Sequence, residues 1–442
     1  MGDAPETGAR SAGAVGAAPA QVEPAGATPA WLTGVLRAAG TLPRGRVRRV
    51  RAVASGTQAG TRFARLEVAY SAGAPAGLPA SLFLKLPRAD RPAAFTAALG
   101  AREVAFYARI APAAAVPVPR CLAAAEAKGG GWHLLLEDVT ATHGQPEWPV
   151  PPPLEDCRRA ADALAALHAA WWGHPRLEGD LGQPVSAAEV EAGITTTTAL
   201  VERFVHFLGD RLTPAGRACY DHAVAALPSL WAWYGRRTAK TLCHGDAHAW
   251  NVLFPRRAAG PVYLCDWQTW RPGIGALDLA TLMVLDWSPA RRAGLECGLV
   301  RRYHARLEAL GVRGYACDAC WRDYRWAALN ALFTPPWRWD KGTAARYWWP
   351  HLEAALAAFD DLGCAALAGR AAAVAAPEHR RAAALLPTPA PPTSAPDPER
   401  LASPARVAPA AVDLNEQYAS PLLPGSGAPA PRARQSLRAS HT

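Results

Sequence analysis

Apolar positions in the first third of the chain fall in short runs with partial alternation. RVRRVRAVAS (46–55), RFARLEVAY (62–70) and SLFLKL (81–86) read as strands. SGTQAGT (55–61) separates the first pair, and a Gly/Pro-rich turn separates the second. From about 92 to 110, Phe95, Leu99, Ala105 and Phe106 recur at helical spacings. WHLLLED (132–138) reads as a buried strand that leads into a polar, proline-rich connector over 139–153. Beyond it the period becomes helical. Residues 154–173 carry Leu154, Cys157, Ala161, Leu164 and His168 on roughly one face. Further helices are expected over 187–208, 214–236, 275–287, 290–310, 316–333 and 342–361, with a short strand–loop–strand section at 240–267. The pattern predicts an α+β protein: a small strand-rich lobe with one main helix, then a larger, mostly helical body.

Both ends differ from this core. Residues 1–28 are rich in Ala, Gly and Pro, and 366–442 form an Ala/Pro-rich tail; 12 of the 41 prolines lie in 387–442. Such segments bury too little apolar surface to balance the entropy of ordering, so both are expected to be disordered. The core, about 29–365, suits a two-lobed enzyme. Charge changes the picture little. The net charge is +10, but only four of the 47 basic residues are lysine (Lys85, Lys128, Lys240, Lys341), a skew that points to a GC-rich coding genome. The one dense basic run, RVRRVR (46–51), fits a strand with a solvated face, and no nucleic-acid partner is expected. No apolar run reaches the length of a membrane span, no secretory signal opens the chain, and nine scattered cysteines do not form a disulfide framework. A cytoplasmic protein is expected, not bound to membrane, with its oligomeric state open.

The chemistry concentrates in TLCHGDAHAWNVLF (241–254) and VYLCDWQTWRPGIGALDLATLM (262–283). Apolar runs bracket Asp246, Asn251 and Asp266, which places each at the end of a short strand or in the loop between strands. Phosphoryl transfer asks for this kind of set. Hard cations that chelate a nucleotide want oxygen ligands. An acceptor hydroxyl needs a carboxylate to orient it and take its proton. Asp246 suits the base role, and Asn251 and Asp266 suit the metal role.

HGDAHAWN resembles the HGDxHxxN loop of the aminoglycoside phosphotransferase and choline kinase superfamily, which shares the protein-kinase fold. CDWQ falls where that superfamily places its second metal-binding Asp, and its Trp-Gln is closest to the ecdysteroid-kinase-like branch. Gly275 and Asp278-Leu279-Ala280 resemble the G…DLA helix start, where the Asp braces the loop. FLKL puts Lys85 in the position of the phosphate-binding lysine, and REVAFY (102–107) makes Glu103 its ion-pair partner. ProValPro (117–119), LLLEDV (134–139) and LAALH (164–168) follow the family order, and the resemblance covers roughly 45–290. It implies a kinase-like α+β fold with a nucleotide-binding lobe over 29–139 and a catalytic, acceptor-binding lobe over 140–365. It also implies ATP and Mg2+ as cofactors and a small-molecule hydroxyl acceptor: an aminoglycoside, a choline-like alcohol, a sugar or a steroid-like alcohol. Lys85, Glu103, Gly56, Gly60, His248 and the hinge residues Glu137 and Val139 would hold the nucleotide. Asn251 and Asp266 would hold the metal. The phosphate loop departs from the usual pattern, because Gly56 and Gly60 do not make a GxGxxG.

Other readings compete. A nucleotide-binding pseudokinase scaffold would keep the fold without the turnover. His244 and His248 are spaced like metal ligands, as in a metallohydrolase, yet no further cluster completes a shell. Cys317 and Cys320 are more simply neighbours on a helix than a zinc site. His168, beside Trp171 and Trp172, reads as a packed core histidine. The aromatic stretch around Trp337, Trp339, Trp348 and Trp349 is expected to be mostly core, with some rings lining an acceptor pocket.

Overall fold

The computed structural model describes residues 27–369, except 59–60, 114–116, 128–130, 183–184, 237 and 258–259. Almost all of the two terminal segments therefore lies outside the described residues. Helix α1 (Pro29–Ala38) opens the described chain, and sequence patterning did not predict it. Its signals are local. The Thr28 hydroxyl caps the helix by accepting from Trp31 N, proline occupies the first turn, and Leu32, Val35 and Leu36 are buried.

Five strands follow in an antiparallel sheet ordered β1-β2-β3-β5-β4. They are β1 (Val47–Gln58), β2 (Thr61–Tyr70), β3 (Ser81–Pro87), β4 (Cys121–Glu126) and β5 (Trp132–Glu137), with helix α2 (Ala93–Arg109) between β3 and β4. The 55–61 segment expected to separate the first two strands is mostly strand, because the ladder runs on to pair Gln58 with Thr61. β4 was also not expected. Its CLAAAE sequence lacks the branched and aromatic residues that mark strands, and it sits at a sheet edge. The central strand β3 sorts its faces by the period of two. Leu82, Leu84 and Leu86 are buried in a cluster with α1, which covers one sheet face. Phe83 and Lys85 alternate with them and therefore point to the other face. Helix α2 packs there against β5, where the Trp132 indole donates to Thr96 O (2.9 Å). Gly100 permits this approach, since a Cβ would lie 2.1 Å from the Trp132 ring.

The short strand β6 (His143–Gly144) lies in the connector and pairs with β8 below. The helical body holds α3 (Leu154–Ala170), α4 (Ala187–Leu208), α5 (Pro214–Ala225) and α6 (Leu227–Gly235). The single helix expected over 214–236 is broken into α5 and α6. Pro228 removes a helical N–H and crowds the carbonyl one turn earlier. Strands β7 (Lys240–Cys243), β8 (Val252–Pro255), β9 (Tyr263–Leu264) and β10 (Arg271–Ile274) frame the chemistry-bearing loops. The chain closes with α7 (Ala276–Met283), α8 (Pro289–Ala309), α9 (Cys317–Ala331), α10 (Thr334–Asp340), α11 (Ala345–Asp361) and α12 (Ala365–Gly369). Helix α10 was not foreseen as a separate element, and α12 carries the chain past the expected boundary at 365 with Leu367 buried. One apolar core joins α2 and β5 to the helical body. The result is a protein-kinase-like, two-lobed α+β fold. Among the described residues no helix is long and apolar enough to cross a membrane.

Candidate active site

β3 and α2 carry the first half of the site. Lys85 is 5% exposed, and its ammonium donates to Glu103 Oε2 at 2.6 Å and Oε1 at 2.9 Å. It also reaches Asp266 Oδ1 at 3.2 Å, which links the sheet lobe to the loop after β9. Burial works against the lysine charge, but the Asp266 and Glu103 carboxylates outweigh it and hold the ammonium above the usual lysine range. Burial pushes the Glu103 carboxyl up, Lys85 opposes that, and the Gln268 amide lies 3.5 Å away.

The second half rests on two antiparallel pairs, β7–β10 and β8–β9. Between β7 and β8 the chain turns through His244, Gly245, Asp246 and His248. Gly245 has φ +86°, and a Cβ there would stand 2.2 Å from Thr269 O, so the turn requires glycine. The Asn251 amide nitrogen donates to Asp246 O (2.9 Å) and Oδ2 (3.1 Å). That hydrogen bonding leaves the Asn251 amide oxygen as the group available to a cation. His248 is fully buried, with Nε2 3.5 Å from Asp246 Oδ2. Asp246 is itself 4% exposed, and its Oδ1 has no hydrogen-bond partner among the described residues. A buried carboxylate oxygen without a donor is costly in a finished fold and fits a ligand or cation site. Asp266 sits at φ +67°, an unusual conformation for a non-glycine residue at the head of its loop.

Asp278 braces the loop from below. Its two oxygens accept from His244 N (2.6 Å) and Gly245 N (2.9 Å). His168 Nε2 lies 3.1 Å from the same carboxylate, and its Nδ1 lies 2.7 Å from the Tyr303 hydroxyl. Burial alone would raise the Asp278 carboxyl, but the His168 hydrogen bond, nearby imidazoles and the Gly245 N–H hold it below the usual range. His168, expected as a core histidine, is fully buried and also helps position the loop. His168, Cys243 and Asp278 are close enough to hold a metal ion, the only such group among the described residues. This group lies under the loop and accounts for bracing rather than a reaction centre.

Trp267, after Asp266, stacks on Phe106 of α2 with centroids 3.8 Å apart and also touches His244 (4.4 Å), tying α2 to both loops. Gly56 lies in β1 opposite Phe63, where a Cβ would meet the ring at 2.7 Å, so its first duty is to make room for that ring. Gly60 lies outside the described residues. Glu137 ends β5 and Val139 follows it. Val139 O accepts from Thr142 N and His143 N, while no partner for the Val139 N–H is found among the described residues. Between them, the Asp138 carboxylate is fastened to Arg65 and Ser81. His244 points its Nε2 at Cys265 O (3.0 Å) and does not converge with His248 on a metal. Cys317 and Cys320 are free cysteines on α9. Among the aromatic rings, Trp348 is 2% exposed, and Trp339 and Trp348 pack on Phe204 and Phe207 of α4. Trp348 therefore serves the core, while Trp337 and Trp339 are half-buried. Sequence reasoning missed Arg271, Asn330 and Thr334. They are buried beside the loop and belong to no short motif.

The order of elements is a five-stranded antiparallel sheet with one main helix, followed by a mostly helical body that carries the catalytic-type loops. The family model described as the phosphotransferase enzyme family matches residues 51–317, more than half of the chain, and the chain belongs to that family. It is a phosphotransferase acting on hydroxyl groups. Comparison with curated proteins finds no match. Similar solved structures include the GDP complex of aminoglycoside 2'-phosphotransferase-IIIa, 15% identical with a TM-score of 0.45, covering 76% of this chain and 98% of that one. A putative aminoglycoside phosphotransferase from Ralstonia eutropha is 17% identical with a TM-score of 0.45, covering 74% and 94%. An ethanolamine kinase from Plasmodium vivax is 9% identical with a TM-score of 0.43, covering 71% and 81%.

Proposed function

We propose that the protein moves the γ-phosphoryl group of ATP to the hydroxyl of a small molecule, with Asp246 as the base. The observation that carries this reading is the Lys85–Glu103–Asp266 cluster beside the Asp246–Asn251 pair, the two joined where Cys265 N, next to Asp266, donates to Asn251 O (3.0 Å). Lys85 steadies the α- and β-phosphates, and Glu103 holds Lys85 in place. The hinge backbone at Glu137 and Val139 receives the base of the nucleotide, and β1 around Gly56 covers its phosphates. Asp246 orients the acceptor hydroxyl and takes its proton as the oxygen–phosphorus bond forms. ADP leaves with the electron pair of the broken bond. His248, whose Nε2 lies 3.5 Å from Asp246 Oδ2, helps hold the nucleotide near its phosphates.

The donor set is made of oxygen atoms only, which fits Mg2+ and not a thiophilic metal. Asn251 and Asp266 would hold it. Mg2+, when bound, compensates the charge on the triphosphate.

The test is Asp246→Asn. Mg-ATP binding should persist while turnover falls by about 10²–10⁴-fold, because binding and proton acceptance are separate tasks. Near-native turnover would remove Asp246 from the base role.

A further inference from the structure

A cavity of about 30 Å³ lies against the catalytic loop, walled by Gly245, Arg271, Thr281, Leu285, Asn330 and Thr334. That is room for about two waters or for a small functional group. It begins one residue from Asp246. A Cβ on Gly245 would stand 2.7 Å from the Arg271 guanidinium, so the arginine lies directly under the loop.

Arg271 is 9% exposed and permanently charged. Its Nη1 donates to Thr269 O (3.2 Å), and the Tyr234 hydroxyl also meets it. Its buried Nε has no hydrogen-bond partner, and no carboxylate pairs with it among the described residues. Arg102 is pushed below the usual arginine range by burial and then by the Arg271 charge. A buried guanidinium without a counter-charge is expensive, and a planar anion answers its geometry better than water does. Leu277, Ala280, Leu285, Ala327 and Ala331 make the apolar part of the wall, Thr281, Asn330 and Thr334 are its uncharged polar groups, and no Asp or Glu lines the cavity.

Acids in the later helices, which would attract a polycationic acceptor, are largely engaged elsewhere. Glu296 pairs with Arg292, Asp323 with Arg236 and Asp340 with Arg203.

We infer that this cavity takes a carboxylate-sized anionic group on Arg271 and Thr334, and that the group belongs to the acceptor, which makes the substrate a small hydroxy acid. The inference rests on the phosphotransferase reading above and names the acceptor class for that site. The hydroxyl at Asp246 and the carboxylate at Arg271 would be a few bonds apart. The hydroxyl oxygen gains the phosphoryl group, its proton passes to Asp246, and ADP leaves.

The experiment measures phosphate transfer from Mg-ATP by the full chain to matched pairs: glycerate against glycerol, and 3-hydroxybutyrate against 1,3-butanediol. Ethanolamine serves as a cationic alcohol, and acetate and chloride serve as anions without a hydroxyl. The acid of at least one pair should exceed its neutral partner and ethanolamine by about tenfold or more in kcat/KM, the scale of one charge-assisted contact. Arg271→Gln should abolish that preference through acceptor KM, with Mg-ATP affinity kept within about twofold. Asn330→Asp, which keeps Arg271 but adds a negative charge to the wall, should abolish it as well, so the test survives a poorly folding arginine variant. No preference for the acid in either pair overturns the inference. So does thermal stabilisation by acetate or chloride without transfer to either acid, which would mark a free-anion site. Transfer to ethanolamine with both acids ignored overturns the acceptor class alone. Failure to bind Mg-ATP at all overturns the phosphotransferase reading beneath it.

Discussion

Lys85 and Arg271 are both buried cations, in opposite surroundings. Lys85 faces two carboxylates, from α2 and from the loop after β9. Arg271 faces the Thr269 carbonyl, a tyrosine and a second arginine. The first is closed within the protein and holds two lobes in register. The second is left for a ligand to complete. The contrast separates ion pairs that assemble a site from charges that select what enters it. A third case lies between them: Arg338 is fully buried against His351, whose other nitrogen lies 3.1 Å from Asp286.

The largest effect should come from Lys85→Met. Removing one partner from a buried pair leaves Glu103 and Asp266 facing each other. Stability should fall by about 3–5 kcal/mol in a urea melt, with loss of turnover. A variant as stable as the parent would contradict the pairing. A smaller effect is expected from pH. His351 is pushed down to about 4 by burial first and by the neighbouring Arg338 charge, although Asp286 opposes the shift and His248 adds to it. The neutral ring is therefore the folded form. The unfolded chain takes up a proton below about pH 6.5, so stability is complete above that value and is lost as pH falls towards 4, by up to about 3 kcal/mol. His351→Gln should flatten this part of the pH–stability curve; an unchanged slope would show that His351 is not its source. The smallest effect should belong to Arg271→Gln. Because no carboxylate is orphaned by the change, stability should move by less than about 1 kcal/mol, whatever happens to the acceptor. A loss as large as that of Lys85→Met would erase the contrast between the two cations.

Part of the site stands out from the residues alone: Asp246, Asn251 and Asp266 are bracketed by apolar runs, which sets each at a strand end or in a loop. Lys85, Glu103 and the brace at Asp278 stand out only through the order of motifs that resembles the family, because a single lysine on a strand or acid on a helix carries no signal of its own. Helix α1 escapes such a reading although Thr28-Pro29 and Leu32, Val35 and Leu36 mark it, because the surrounding composition resembles a disordered tail. β4 is hidden by its alanines. Arg271, Asn330 and Thr334 come from β10, α9 and α10. Their meeting is a product of tertiary packing, and no local spacing could encode it. Trp348 illustrates the converse: an aromatic-rich stretch invites a pocket reading, while packing against Phe204 turns this ring into core.

The central claim is that Asp266 joins Lys85 around a metal-chelated triphosphate. Calorimetric titration of ATP into the parent and Asp266→Ala, each with and without Mg2+, addresses it directly. The parent should bind ATP more tightly with Mg2+, and the variant should lose most of that enhancement, by about tenfold or more, while keeping its fold. Equal enhancement in both proteins would contradict the account.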